Sequence, residues 1–125
     1  MNEFLFKQET FEIIGLCMEV HKVLGPGFSE IVYKDAIELE AKWRSLKIVR
    51  EKGLNIFYKK TLLNRQFFSD FVFFDNVIVE VKAVNKDISD DNVAQTLNYL
   101  KASGIRVGLI VNFGTKSLEF KRIIF

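Results

Sequence analysis

The segment Ser69-Asp70-Phe-Val-Phe-Phe-Asp-Asn-Val-Ile-Val-Glu80-Val-Lys82 sets an acid into one apolar run, and an acid and a lysine two residues apart into the next. Period-2 strand geometry puts Glu80 and Lys82 on the same face. Unpaired charges buried beside Ile78, Val79 and Val81 are costly, so something must compensate them. Two readings meet that demand. E-x-K alone is a common tripeptide, and it reads as a Glu80–Lys82 ion pair or as charges at an exposed strand end. The other reading is a divalent-metal site. Asp70 and Glu80 then supply hard oxygen ligands to Mg²⁺, while Lys82 positions or activates water and stabilises charge developing on a phosphate.

Register separates the two. Asp75-Asn76 is a turn dipeptide that joins the runs into a hairpin. A two-residue loop there sets Asp70 opposite Val81, with its side chain on the other face from Glu80. A three-residue loop or a bulge pairs position 70 with position 80 and brings the carboxylates together. The metal reading therefore expects an odd loop, a bulge or a bend at Asp70, and a clean two-residue hairpin counts against it.

The elements that must position these residues follow from periodicity and breakers. Gly25-Pro26-Gly27 separates two helical patterns. The first spans about Gln8 to Val23, with Phe11, Ile14, Cys17 or Met18, and Leu24 recurring at helical spacing. The second is capped by Ser29, with a stripe of Val32, Tyr33, Ala36, Ile37, Leu39 and Trp43. From about residue 46 the period falls to 2: Ile48, Leu54–Tyr58, Gln66–Phe74 and Val77–Val84 read as four strands. Ser89-Asp90-Asp91 opens a third helix that Gly104 ends, and Gly108–Val111 and Leu118–Phe125 close the chain as strands. The order α-α-β-β-β-β-α-β-β is an α+β or α/β layer fold, a sheet with helices packed on it.

The 125 residues amount to one domain, 1–125, with a 49% hydrophobic fraction ample for its core. Eighteen Lys+Arg against 16 Asp+Glu permit a polyanionic partner without demanding one. The lone Cys17 and the absence of a signal-like leader in MNEFLFKQETFE predict a reduced, cytoplasmic location with no membrane partner. A single histidine, His21, rules out His-based dyads and zinc clusters and reads as a helix-surface residue. Thirteen Phe, several near strand ends, either complete a two-sided core or form a homo-oligomer surface.

Gly27-Phe-Ser-Glu30-Ile-Val-Tyr33 matches letter for letter the motif of the GxxExxY protein family. The match continues through Val79-Glu80-Val-Lys82-Ala-Val84, Gln95-Thr-Leu-Asn-Tyr99-Leu, Gly104 and Gly108-Leu-Ile-Val-Asn112-Phe113-Gly114. The chain thus resembles, over about residues 10–125, a compact branch of the PD-(D/E)XK nuclease superfamily. That resemblance implies a restriction-endonuclease-like core, a central mixed sheet flanked by helices, with Asp70 as the first acid and Glu80 and Lys82 as the E-x-K. Ser69 stands where the superfamily's name has proline.

By the same resemblance Glu30 assists the metal shell and Gln95 and Tyr99 help orient substrate or water; Tyr33, three residues after Glu30 and on the same side of its helix, is counted with them as substrate-binding. The expectation is a Mg²⁺-dependent nuclease, with Mn²⁺ able to substitute, acting on DNA rather than RNA. Its ligands are Asp70, Glu80, the Val81 carbonyl and Glu30, and its catalytic set adds Lys82 and Gln95. The alternative is a catalytically silent nucleic-acid-binding or oligomeric accessory domain that keeps the fold.

Overall fold

The computed structural model describes residues 6–125; residues 1–5 of the N-terminal stretch read above lie outside them. Two helices come first, α1 (Lys7–Leu24) and α2 (Glu30–Trp43), then strands β1 (Ile48–Tyr58), β2 (Thr61–Phe73) and β3 (Val77–Lys82). Helix α3 (Asp90–Ser103) and strands β4 (Val107–Asn112) and β5 (Glu119–Ile124) complete the order. The sheet runs β1-β2-β3-β4-β5, antiparallel throughout except for the parallel β3–β4 pair that α3 connects. This is the layered α+β architecture that periodicity implied.

One detail of the strands differs from the expectation. Ile48 and Leu54–Tyr58 belong to a single strand, because Gly53, which looks like a break, is a close-packed ladder position paired with Phe68. A Cβ there would fall 2.8 Å from Gln66 Oε1 and 2.9 Å from Phe68 Cε1. The neighbouring strand's side chains cross the glycine and fill its place.

Alternation along β2 and β3 builds two cores. Phe71, Phe73, Val77, Val79 and Val81 face α1 and α2, whereas Val72 and Ile78 face Leu100 of α3. The buried stripe of α1 is Ile13, Leu16, Cys17 and Val20, with Phe11 and Met18 exposed. Apolar residues nearly encircle this helix, so spacing alone could not select the inward face. On α2 the inward residues are Tyr33, Lys34, Ile37 and Ala41, and Leu39 and Trp43 point to solvent. Burial pushes the Cys17 thiol up to about 12, so it stays protonated and unreactive. No helix among the described residues is long and apolar enough to cross a membrane.

Two arrangements fix the loops that flank the acids. Asn112, fully buried at the end of β4, accepts the N–H groups of Val84 and Gly114 at 3.0 Å through Oδ1. Its Nδ2 donates to the carbonyls of Val84 (3.1 Å) and Lys86 (2.9 Å) and to Glu119 Oε1 (3.3 Å). The segment after Lys82 is thereby tied down before α3, whose Ser89–Asn92 capping box starts the helix. Asn112→Ala is expected to destabilise the protein by about 2–4 kcal/mol, since buried main-chain groups lose their partners. An unfolding free energy from denaturant titration within roughly 0.5 kcal/mol of the parent's would contradict the clamp.

The second arrangement involves Tyr33 and His21. Tyr33 donates its hydroxyl to the Gly25 carbonyl (2.5 Å) and accepts the Phe28 N–H (3.2 Å), stapling the Gly-Pro-Gly turn between the helices. His21, expected on an open helix surface, is half-buried and donates Nε2–H to the Thr115 carbonyl at 2.9 Å.

Candidate metal centre

The hairpin between β2 and β3 has a three-residue loop, Phe74-Asp75-Asn76, closed by a hydrogen bond from the Asn76 N–H to the Phe73 carbonyl (3.0 Å). Phe74 and Asp75 both take left-handed backbone conformations (φ 55° and 61°), and Lys47 pairs with the Asp75 carboxylate. The odd count sets the register at Phe71↔Val79, Val72↔Ile78 and Phe73↔Val77. Continued by one step, it places Asp70 across from Glu80, the arrangement that the metal reading requires.

Ladder pairing between β2 and β3 stops at Phe71↔Val79. Past that point Asp70 Oδ2 accepts the Val81 N–H at 2.7 Å, so the side chain takes a position a strand carbonyl would otherwise hold. Across the other edge of β2, Glu51 lies opposite Asp70, adopts φ 53° and drops out of the β1–β2 pairing. Ladder pairing is therefore interrupted on both sides of Asp70.

Glu80 is 7% exposed, and its Oε1 is buried with no hydrogen-bond partner. Burial, then the charge of Asp70 and a hydrogen bond with it, push the Glu80 carboxyl up to about 8, against the pull of Lys82. Glu30, in the exposed first turn of α2, is also shifted upward, by desolvation first and then by Asp70, with Lys82 and Lys34 opposing. The acids thus feel one another and Lys82 across three elements. On the α3 side, burial and then the charges of Glu80 and Asp70 raise the Tyr99 phenol, which Gln95 hydrogen-bonds. The Tyr99 ring stacks on Phe67, with centroids 4.2 Å apart and planes 14° apart.

Asp70, Glu80, Lys82, Glu30, Gln95 and Tyr99 accordingly form one neighbourhood. Val81 contributes its N–H to Asp70 and is otherwise a core residue. Tyr33 does not join them: it is fully buried and its hydroxyl is held in the turn, so it offers no surface to a substrate.

A residue that spacing did not single out completes the group. Lys34 Nζ lies 3.0 Å from Asp70 Oδ1 and 3.5 Å from Glu51 Oε1. Burial works against its charge, but the hydrogen bond and the charges of Asp70, Glu51 and Glu30 outweigh it and raise its pKa. The signal was its place on the stripe Glu30, Lys34, Ile37, Ala41: a lysine on an inward helix line needs an acid.

The donor set suits a divalent cation. Burial and then the Asp70 charge disfavour an ionised Glu80, whose Oε1 is also buried without a donor; a bound cation relieves both. Among the described residues no group of three or more His, Cys, Asp and Glu side chains is placed to hold a metal ion. What remains is a pair of carboxylates, and Mg²⁺ is commonly held by one or two carboxylates with waters completing its shell.

A family model described as the PD-(D/E)XK nuclease superfamily matches residues 7–123. No curated protein and no solved structure matches the chain.

Proposed function

The chain belongs to the PD-(D/E)XK nuclease superfamily, and from that premise we propose that it is a divalent-metal-dependent phosphodiesterase of the GxxExxY branch, acting on DNA. The observation that carries this is the buried, partnerless Glu80 Oε1 beside Asp70, with Lys82 two residues further along the same strand. Asp70, Glu80 and the Val81 carbonyl would hold Mg²⁺, or Mn²⁺ in its place, with Glu30 at the rim. When bound, the ion supplies positive charge at the phosphate and raises the nucleophilicity of water.

The chain's own groups do the rest. Lys82 donates from Nζ to the attacking water or to a non-bridging phosphate oxygen, and so orients the one and offsets charge on the other. Gln95 steadies the phosphate with its amide while tied to the Tyr99 phenol, and the Phe67–Tyr99 stack fixes that face of α3. Lys34 aims the Asp70 carboxylate through Oδ1, leaving Oδ2 at the Val81 backbone.

Two measurements test the proposal together. Calorimetric titration with Mg²⁺ is expected to show saturable binding. Labelled single-stranded, duplex and branched DNA are expected to be cut with Mg²⁺ and left intact with a chelator. No cleavage of any of the three by a protein that binds Mg²⁺ would favour the silent accessory domain instead.

A further inference from the structure

We propose that the outer part of the β1–β2 hairpin is an arm that seats in the major groove of a B-form DNA duplex and holds it beside the cleavage centre. This rests on the reading of Asp70 and Glu80 as that centre.

Strand length makes the arm. β1 and β2 run for 11 and 13 residues, but β3 pairs only with Phe71–Phe73. Leu54 and Phe67 still pack under α3, and beyond them every residue from 57 to 66 is exposed. What projects is a two-stranded ribbon, pinned by Gln66 Nε2 donating to Asn55 Oδ1 (2.8 Å) and twisted by a register shift between Asn55 and Phe57. Because β2 and β3 are antiparallel, the ribbon leaves the sheet at the end where Glu80 and Lys82 lie. Thr61 lies nine positions from Asp70, so the tip stands about 30 Å from the acids along the strand.

Its chemistry points to a polyanion. Residues 53–69 contain Lys59, Lys60 and Arg65 and no acid, and the remaining chain has 15 Lys+Arg against 16 Asp+Glu. The whole net positive charge of the protein therefore sits on this ribbon. Its tip is a two-residue turn in which Lys59 and Lys60 both adopt left-handed backbone conformations (φ 48° and 67°). Asn-Gly relieves strain in such a turn; here two cations stand at its apex instead. Phe57, Tyr58 and Phe68 are 55%, 61% and 63% exposed, and Lys59 Nζ lies 5.4 Å from the Tyr58 ring centroid.

Tip-to-tip contact between two copies would bring like charges together, whereas phosphates on both sides of a groove neutralise them. A β-ribbon fits the roughly 12 Å major groove of B-DNA, and apolar side chains there meet thymine methyls. The deep, narrow major groove of A-form RNA does not admit it.

The test variant is Lys59→Asn with Lys60→Gly, which removes both charges and installs the favoured turn, so the fold and thermal midpoint are kept or improved. Both it and the parent are studied in a Glu80→Gln background, so that binding is read without cleavage. Fluorescence anisotropy with a labelled 24-base-pair DNA duplex is measured from 50 to 300 mM salt. The expected result is roughly ten-fold weaker binding at about 100 mM salt and a log–log salt slope shallower by about two. An A-form RNA duplex of the same sequence is expected to lose less than about two-fold.

An unchanged DNA affinity and slope would overturn the proposal, as would an equal loss on RNA. Loss of a dimer in sedimentation with DNA binding intact would assign the arm to contact between copies and overturn it too. Because binding is the readout, a parent that never cuts DNA sinks the cleavage reading alone, and a cutting parent with an indifferent arm sinks this one alone.

Discussion

Asp70→Asn is expected to lower single-turnover cleavage of duplex DNA by about 10³-fold or more, a rise of roughly 4 kcal/mol in the barrier. The substitution is nearly isosteric. The asparagine oxygen can still accept the Val81 N–H, and Lys34 retains Glu51 as a partner, so the sheet has little reason to move. What disappears is one of the two negative charges that a divalent cation needs. Calorimetric Mg²⁺ affinity is expected to fall with the rate. Lys82→Ala should separate the two effects, cutting the rate by a comparable factor while leaving Mg²⁺ affinity within about three-fold, because the lysine acts on water and phosphate. A cleavage rate for Asp70→Asn within about ten-fold of the parent would remove Asp70 from the centre.

Glu80→Gln is expected to make the metal-free protein more stable at alkaline pH while abolishing activity. The sign follows from the direction of the shift. The folded protein holds the Glu80 proton up to about 8, whereas the unfolded chain releases it near 4.5. Stability from the protonated acid is complete below pH 4.5 and is lost as pH rises toward 8, after which the fold carries a buried anion beside Asp70. Glutamine keeps the shape and is neutral at every pH. At pH 8.5 without metal, its thermal midpoint should lie roughly 5–10 °C above the parent's, shrinking toward zero near pH 5. Mg²⁺ should raise the parent's midpoint at pH 8.5 and leave that of Glu80→Gln nearly unmoved. A parent whose midpoint is flat between pH 5 and 8.5 would contradict the picture of a buried Glu80 carboxyl with no partner at Oε1.

Much of this was legible in the residues. The parity of positions 70 and 80 demanded an odd hairpin loop, and the loop is odd. Ser89-Asp90-Asp91 announced a capped helix, and the cap is present. What could not be read were pairings set by tertiary approach. Lys34 meets Asp70 across 36 positions of sequence, and nothing local tells an inward lysine from a solvated one until the facing strand is known. The inward face of α1 was ambiguous because nearly every face is apolar. Tyr33 sits in the motif yet serves the turn, since a phenol near a Gly-Pro-Gly break can be consumed by main-chain groups before any ligand arrives.

The three-residue loop at 74–76 makes the centre an arithmetic property of the chain. Every residue of β2 faces one layer or the other by odd or even distance from that loop, so adding or removing one residue inverts the whole strand. Phe71 and Phe73 would turn out of their core in the same step that carries the Asp70 carboxylate away from Glu80. Length change here is tolerable only in pairs. Folding and chemistry thus share one failure, and a sequence that drifts out of phase at this loop cannot keep the stable protein and lose only its activity.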